Sequence, residues 1–177
     1  MNEMNASILA ENCALLGAHT LPRWSELPDL ELYMDQVLGL VSRYLGAYPG
    51  FDGKGLTASM VNNYVKLGVM PAPVKKKYTR AHLAHLIVIC LLIASLPIAS
   101  IQRIVSHELE DATEAEVYDR FCELFERTNR AVSEAALRDG HETPLSPLYQ
   151  AALIAQAEQA LASRLYAAYF PAEEKAK

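Results

Sequence analysis

Fourteen residues from Leu83 to Leu96 run almost without a polar side chain, and from Ala81 to Ile101 no residue is formally charged. Such a segment must leave water. A bilayer crossing needs ~20 apolar residues, and this run is bounded by His82 and His85 at one end and Pro97 at the other. The expectation is a buried core helix that opens at Thr79 or Arg80 and carries Leu83, Leu86, Ile87, Val88, Ile89, Leu91, Leu92 and Ile93 inward. With 177 residues, about half of them apolar, the chain can bury a core of this kind and hold one domain with a helical extension. A second helix from Pro97 to about Leu109 follows, with Ile98, Ile101, Ile104, Val105 and Leu109 inward.

The stretch before the core helix, Leu56 to Arg80, carries the chemistry. Thr57 is placed to cap a helix, and Gly68 stands where a left-handed residue would end it, so the helix spans 58–67. Ala58, Val61 and Val65 form one apolar line and Met60, Tyr64 and Leu67 another, which leaves Ser59, Asn62, Asn63 and Lys66 on the remaining face. Amides, a hydroxyl and an ammonium suit the base edges and phosphates of a DNA major groove. A solvated face would have the same composition. Pro71 and Pro73 then end the helix and start an extended segment, Val74 to Tyr78, with Lys75, Lys76 and Lys77 in succession. On a strand these lysines would alternate between faces, as suits a basic wing lying on a phosphate backbone, or they would protect a strand edge.

Charge favours the first of these. Between Gly53 and His107 there is no acid, while Lys54, Lys66, Lys75, Lys76, Lys77, Arg80 and Arg103 supply seven positive charges. All 21 acids and only nine bases lie elsewhere, so the formal net charge of −5 divides into +7 on this segment and −12 on the rest. That asymmetry points to a polyanion-binding module inside an acidic chain.

The run Tyr33-Met34-Asp35-Gln36-Val37, then Thr57, Ser59-Met60, Asn62-Asn63-Tyr64-Val65-Lys66, Pro71, Pro73 and Lys75-Lys76-Lys77-Tyr78 resembles the bacterial family catalogued as domain of unknown function 1836, over roughly Leu21 to Arg127. More loosely it is similar to the DNA-binding domain of MerR-type regulators. There a recognition helix is followed by a hydrophobic turn, here Gly68-Val69-Met70, then prolines, a basic wing closed by tyrosine and an apolar helix. MerR recognition helices carry an arginine before paired tyrosines, where this chain has Val61, Asn62 and Asn63. The resemblance implies an all-α fold: a MerR-like winged helix-turn-helix with a small β wing, plus a C-terminal antiparallel helical hairpin. It also implies a duplex-DNA surface made by Thr57, Ser59, Asn62, Asn63, Tyr64, Lys66, Lys75, Lys76, Lys77, Tyr78 and Arg80, and a homodimer joined through C-terminal helices.

Three parts are expected. Residues 1–28 form an N-terminal arm with a short helix, Asn5 to Leu16, and with Trp24 as an anchor. Residues 29–110 form the winged helix-turn-helix, whose first helix runs from a cap at Asp29 to Leu45 and is joined to the next by the glycine-rich loop Tyr48 to Gly55. Residues 114–177 form the hairpin. Its first helix, Glu114 to Arg138, has an inward stripe of Val117, Phe121, Leu124, Phe125, Thr128, Val132 and Ala135. The second, Leu148 to Phe170, is rich in alanine and follows a turn bracketed by Asp139-Gly140, Pro144 and Pro147.

Chemistry by the chain itself is not expected. There is no nucleophile elbow, no paired-histidine metal motif and no phosphate loop. Cys13, Cys90 and Cys122 are scattered, without partners at metal-ligand spacing, and fit buried thiols in a reducing cytoplasm. His82 and His85 are read as boundary residues beside the DNA-facing surface. The functional expectation is a cytoplasmic transcriptional regulator without cofactor or metal and away from membranes. The alternatives are a protein-interaction module turning its basic face to an acidic partner, and a sensor with a small-molecule effector pocket near Tyr166, Tyr169 and Phe170.

Overall fold

The computed structural model describes residues 3–46, 48, 55–139 and 146–171. Among them the chain is helical, with no extended sheet. The helices are α1 (Glu3–Ala18), α2 (Met34–Leu45), α3 (Ala58–Lys66), α4 (Arg80–Leu92), α5 (Ile98–Glu108), α6 (Glu114–Asp139) and α7 (Pro147–Tyr169), with one 3-10 turn at Trp24–Glu26. None of these helices is long and apolar enough to cross a membrane. Lys54 and most of the loop expected from Tyr48 to Gly55, as well as Gly140 and Pro144, lie outside the described residues.

The chain divides into two compact units, residues 14–132 and residues 1–13 with 133–177. In the first, α4 packs against both α2 and α5, and α2 also packs on α3. Val37, Val41 and Leu45 of α2 meet Leu83, Leu86, Ile87 and Ile89 of α4, Val61 and Tyr64 of α3, and Ile101 of α5 in one buried cluster. The α2 and α3 sets repeat at helical spacing, so each of these helices buries one stripe, whereas α4 is buried around most of its circumference. His82 is also buried, at 5% exposure, and is not a boundary residue. Its Nδ1 lies 2.9 Å from the Thr79 hydroxyl and accepts from the Thr79 amide at 3.0 Å, which fixes the first turn of α4.

The start of α2 and the inward face of α6 also differ from expectation. The first helix starts at Met34, five residues after Asp29, because Leu32 is taken up by an antiparallel bridge to Tyr78, with N–H···O distances of 2.8 and 2.9 Å. Tyr33 then begins the helix, its amide donating to Gln36 Oε1 at 2.9 Å. The inward face of α6 is also rotated from the expected stripe. Tyr118, Cys122, Glu126 and Asn129 are buried, whereas Leu124 is 51% exposed and Thr128 faces solvent.

A buried acid on that face has a specific reason. Glu126 receives both guanidinium nitrogens of Arg23, at 2.7 and 2.9 Å, and the Leu21 amide at 3.2 Å. Arg23 holds the Glu126 carboxyl below its ordinary range chiefly through that hydrogen bonding. Asp119 accepts from the Trp24 amide at 2.7 Å, so two acids of α6 bind the backbone of the arm between α1 and α2.

Three imidazoles in this unit resist protonation. Burial lowers the proton affinity of His19, His82 and His85, against the opposing pull of Glu126 on His19 and of Glu114 on the other two. Below the ordinary histidine value of 6.5, the unfolded chain binds protons that the folded chain does not. Stability therefore rises with pH through that window. The urea midpoint is expected to fall between about pH 7 and about pH 5. A midpoint that does not move over this range would contradict the burial of these rings.

In the second unit, Ser146 caps α7 by accepting from the Tyr149 amide at 3.3 Å, and Pro147 occupies the first turn, where its missing donor costs nothing. Leu148, Leu153 and Leu161 of α7 are all more than half exposed. In α1, Ile8 is exposed and Cys13 is the buried residue. Tyr166 and Tyr169 lie with ring centroids 5.1 and 6.5 Å from that of Phe170, and Tyr169 is exposed.

Candidate nucleic-acid interface

Thr57 caps α3 as its position in the sequence requires, its hydroxyl accepting from the Met60 amide at 3.2 Å. At the other end Gly68 has φ +70°, and the Val69 amide returns to the Tyr64 carbonyl at 3.0 Å. This closes the helix in a left-handed cap and sends Val69 and Met70 into the core. The Gly68 carbonyl also accepts from Gln102 of α5 at 2.9 Å, and a Cβ at Gly68 would sit 3.3 Å from that amide nitrogen. Gly68→Ala is therefore expected to cost about 1–2 kcal/mol, from the positive φ and the crowding together. Urea denaturation checks this, and an unchanged midpoint would contradict it.

With α3 fixed at both ends, Val61 and Tyr64 point inward and Ser59, Asn62, Asn63 and Lys66 are all exposed. Met60 and Leu67, expected on an apolar line, are 38% and 46% exposed and join this outer surface. Their chemistry gave no sign of it, since a methionine or leucine at helical spacing usually marks a core face.

The segment expected to be a strand is a tight turn. Val74 and Lys77 form an isolated antiparallel bridge, the Lys77 amide donating to the Val74 carbonyl at 2.9 Å. Lys75 (φ 50°) and Lys76 (φ 63°) occupy the two central positions, both left-handed, as in a type I′ turn. They do not alternate across a strand. They stand exposed at the tip. Lys77 turns back, with its Nζ 3.2 Å from the centre of the Tyr33 ring. That pairing gives Tyr33 a role the sequence did not signal.

The remaining expected site residues are used by the fold. Tyr64 and Tyr78 are 6% and 3% exposed, and Tyr78 stacks edge-on against His82 with centroids 5.3 Å apart. Arg80 donates from Nε to the Leu27 carbonyl at 3.0 Å, lies 5.8 Å from the Trp24 ring centre and is 3.6 Å from Asp29. The surface left to a polyanion is Ser59, Asn62, Asn63 and Lys66 on α3, with Lys75 and Lys76 on the turn. Within residues 55–107 the described chain carries no acidic residue.

Comparison with known proteins adds a family and nothing more. The family model described as domain of unknown function 1836 matches residues 22–126. No curated protein and no solved structure matches the chain.

Proposed function

Because the chain belongs to the family described as domain of unknown function 1836, whose description names no activity, we propose a function from the surface itself: a cytoplasmic, MerR-like transcriptional regulator that binds duplex DNA. In this reading α3 enters the major groove, and the turn at Lys75 and Lys76 is the wing that lies on phosphate.

The observation that carries the proposal is the wing tip. Positions with positive φ in a two-residue turn favour asparagine and glycine, and a residue bearing a Cβ costs roughly 1–2 kcal/mol there. This turn holds two lysines at those positions, both exposed. Strain kept at a surface charge is accounted for when the charge has work to do. Edge protection does not require it, because the turn borders no extended strand.

On α3, Asn62 and Asn63 supply the bidentate amides that suit adenine, and Lys66 supplies a contact to guanine or phosphate. A single short helix reads few bases, so the proposal includes a homodimer that doubles the site. The exposed leucines of α7 support an intersubunit role for that helix.

After an operator has been selected from a random pool, Asn63→Ala is expected to relax preference at one base position by about 1–3 kcal/mol and leave non-specific binding intact. Competition binding with single-base variants of the operator makes the test. An equal loss on every sequence would remove Asn63 from base reading.

A further inference from the structure

A cavity of about 380 Å³ opens among α4, α5 and α6, entirely within the unit of residues 14–132. It lies at the small end of the range for ligand pockets. Val88 and Leu92 of α4, Ile104 and Val105 of α5, and Phe121 of α6 form apolar walls, and Trp24 contributes an aromatic edge.

Acids outnumber cations in the polar lining, which also holds the Tyr118 hydroxyl, buried without a hydrogen-bond partner. Glu108 and Glu114 both border the cavity, and among the described residues neither carboxylate has a hydrogen bond or a cation at ion-pair distance. Glu108 ends α5, where the unpaired carbonyls of the last turn add to its negative potential. Arg120 is the one cation of the lining, so against Glu108 and Glu114 the lining keeps an excess of one formal negative charge.

His85 adds an acceptor. Its Nδ1 is buried with no hydrogen-bond partner. Burial keeps the ring neutral, so one of its two nitrogens is an acceptor. Two carboxylates and an imidazole acceptor around apolar and aromatic walls match a molecule with an apolar body and a cationic, hydrogen-donating head.

We propose that this cavity is a binding site for a small apolar amine in its ammonium form. The body lies between the aliphatic side chains of α4 and α5, against Phe121. The head group sits at the rim, neutralised by Glu108 and Glu114 and donating to His85. The site stands apart from the DNA-binding reading and does not depend on it.

Trp24 is the chain's only tryptophan and lines the cavity, so its emission reports occupancy directly. The experiment titrates the full chain at neutral pH with three probes of one shape: 4-phenylbutylamine, 4-phenylbutanol and 4-phenylbutyrate. The amine is expected to give a saturable change and to bind at least about tenfold more tightly than the carboxylate, with the alcohol between them. The Glu108→Gln/Glu114→Gln variant is expected to bind the alcohol as before and to lose the preference for the amine. A carboxylate that binds as tightly as the amine would overturn the proposal. So would a preference that survives the double substitution. No saturable change with any probe up to about 10 mM would also overturn it, and would assign the apolar walls to a protein partner.

Discussion

Glu126→Ala is expected to lower the stability of the chain by about 3 kcal/mol, the largest loss that any single polar substitution should produce. Two charge-assisted hydrogen bonds to Arg23 and one from the Leu21 amide converge on this carboxylate. Glu126 itself is only 6% exposed. Removing it leaves the Leu21 amide without its acceptor and the guanidinium with only the Leu21 carbonyl, at 3.3 Å, and such orphaned groups account for most of the cost when one member of a buried pair is deleted.

The figure stays at the low end for broken pairs because Arg23 keeps a third of its side chain in water, where its lost bonds are partly replaced. Replacing both partners with apolar residues, Arg23→Met with Glu126→Leu, should recover much of the loss. Urea denaturation of the two single variants and the double variant makes the comparison. A Glu126→Ala protein within about 0.5 kcal/mol of the parent would show that the arm is held by other contacts.

The second large effect has two opposed parts. Lys75→Asn with Lys76→Gly gives the turn the residues its positive φ values favour, and is expected to stabilise the fold by about 1 kcal/mol. The same change removes two exposed cations from the wing. If each neutralises one phosphate, affinity for duplex DNA falls by roughly 50-fold per subunit near 0.1 M salt. A gain in stability joined to a loss of binding distinguishes a wing that acts by charge from one that matters only as a structural turn. Alanine at the same positions would not separate the two, since it has neither glycine's freedom from a Cβ nor the local hydrogen bonding that lets asparagine adopt a left-handed conformation.

How much of this was legible in the sequence depends on how local each signal is. The ends of α3 were readable because Thr57 and Gly68 act within one turn of themselves, and α4 opens at Arg80, one of the two starts expected for the apolar run. The start of α2 was hidden because it is set by a residue 46 positions away, through the Leu32 to Tyr78 bridge. The inward face of α6 was misread because its buried residues include Glu126 and Asn129, which an apolar pattern places outside. Only the partner, Arg23, makes the acid acceptable there.

The wing shows the same limit. A turn with positive φ is announced by asparagine and glycine, and Lys75-Lys76 carries no such mark. Among the site residues, Ser59, Asn62, Asn63 and Lys66 were legible as an outer face. The roles of Tyr64, Tyr78 and Arg80 were not, because tyrosine and arginine serve a core and a DNA surface equally well until their contacts are known.

The central claim is that the exposed lysines of the wing bind phosphate. Fluorescence anisotropy of a random-sequence duplex, titrated with the parent chain and with the Lys75→Asn/Lys76→Gly variant across a salt series, tests it most directly. The account predicts that log affinity of the parent falls linearly with log salt, and that the variant's slope is shallower by about 2 per subunit. Equal slopes for the two proteins would contradict it. So would a parent chain that binds no duplex even at low salt, and the basic surface would then belong to an acidic protein partner.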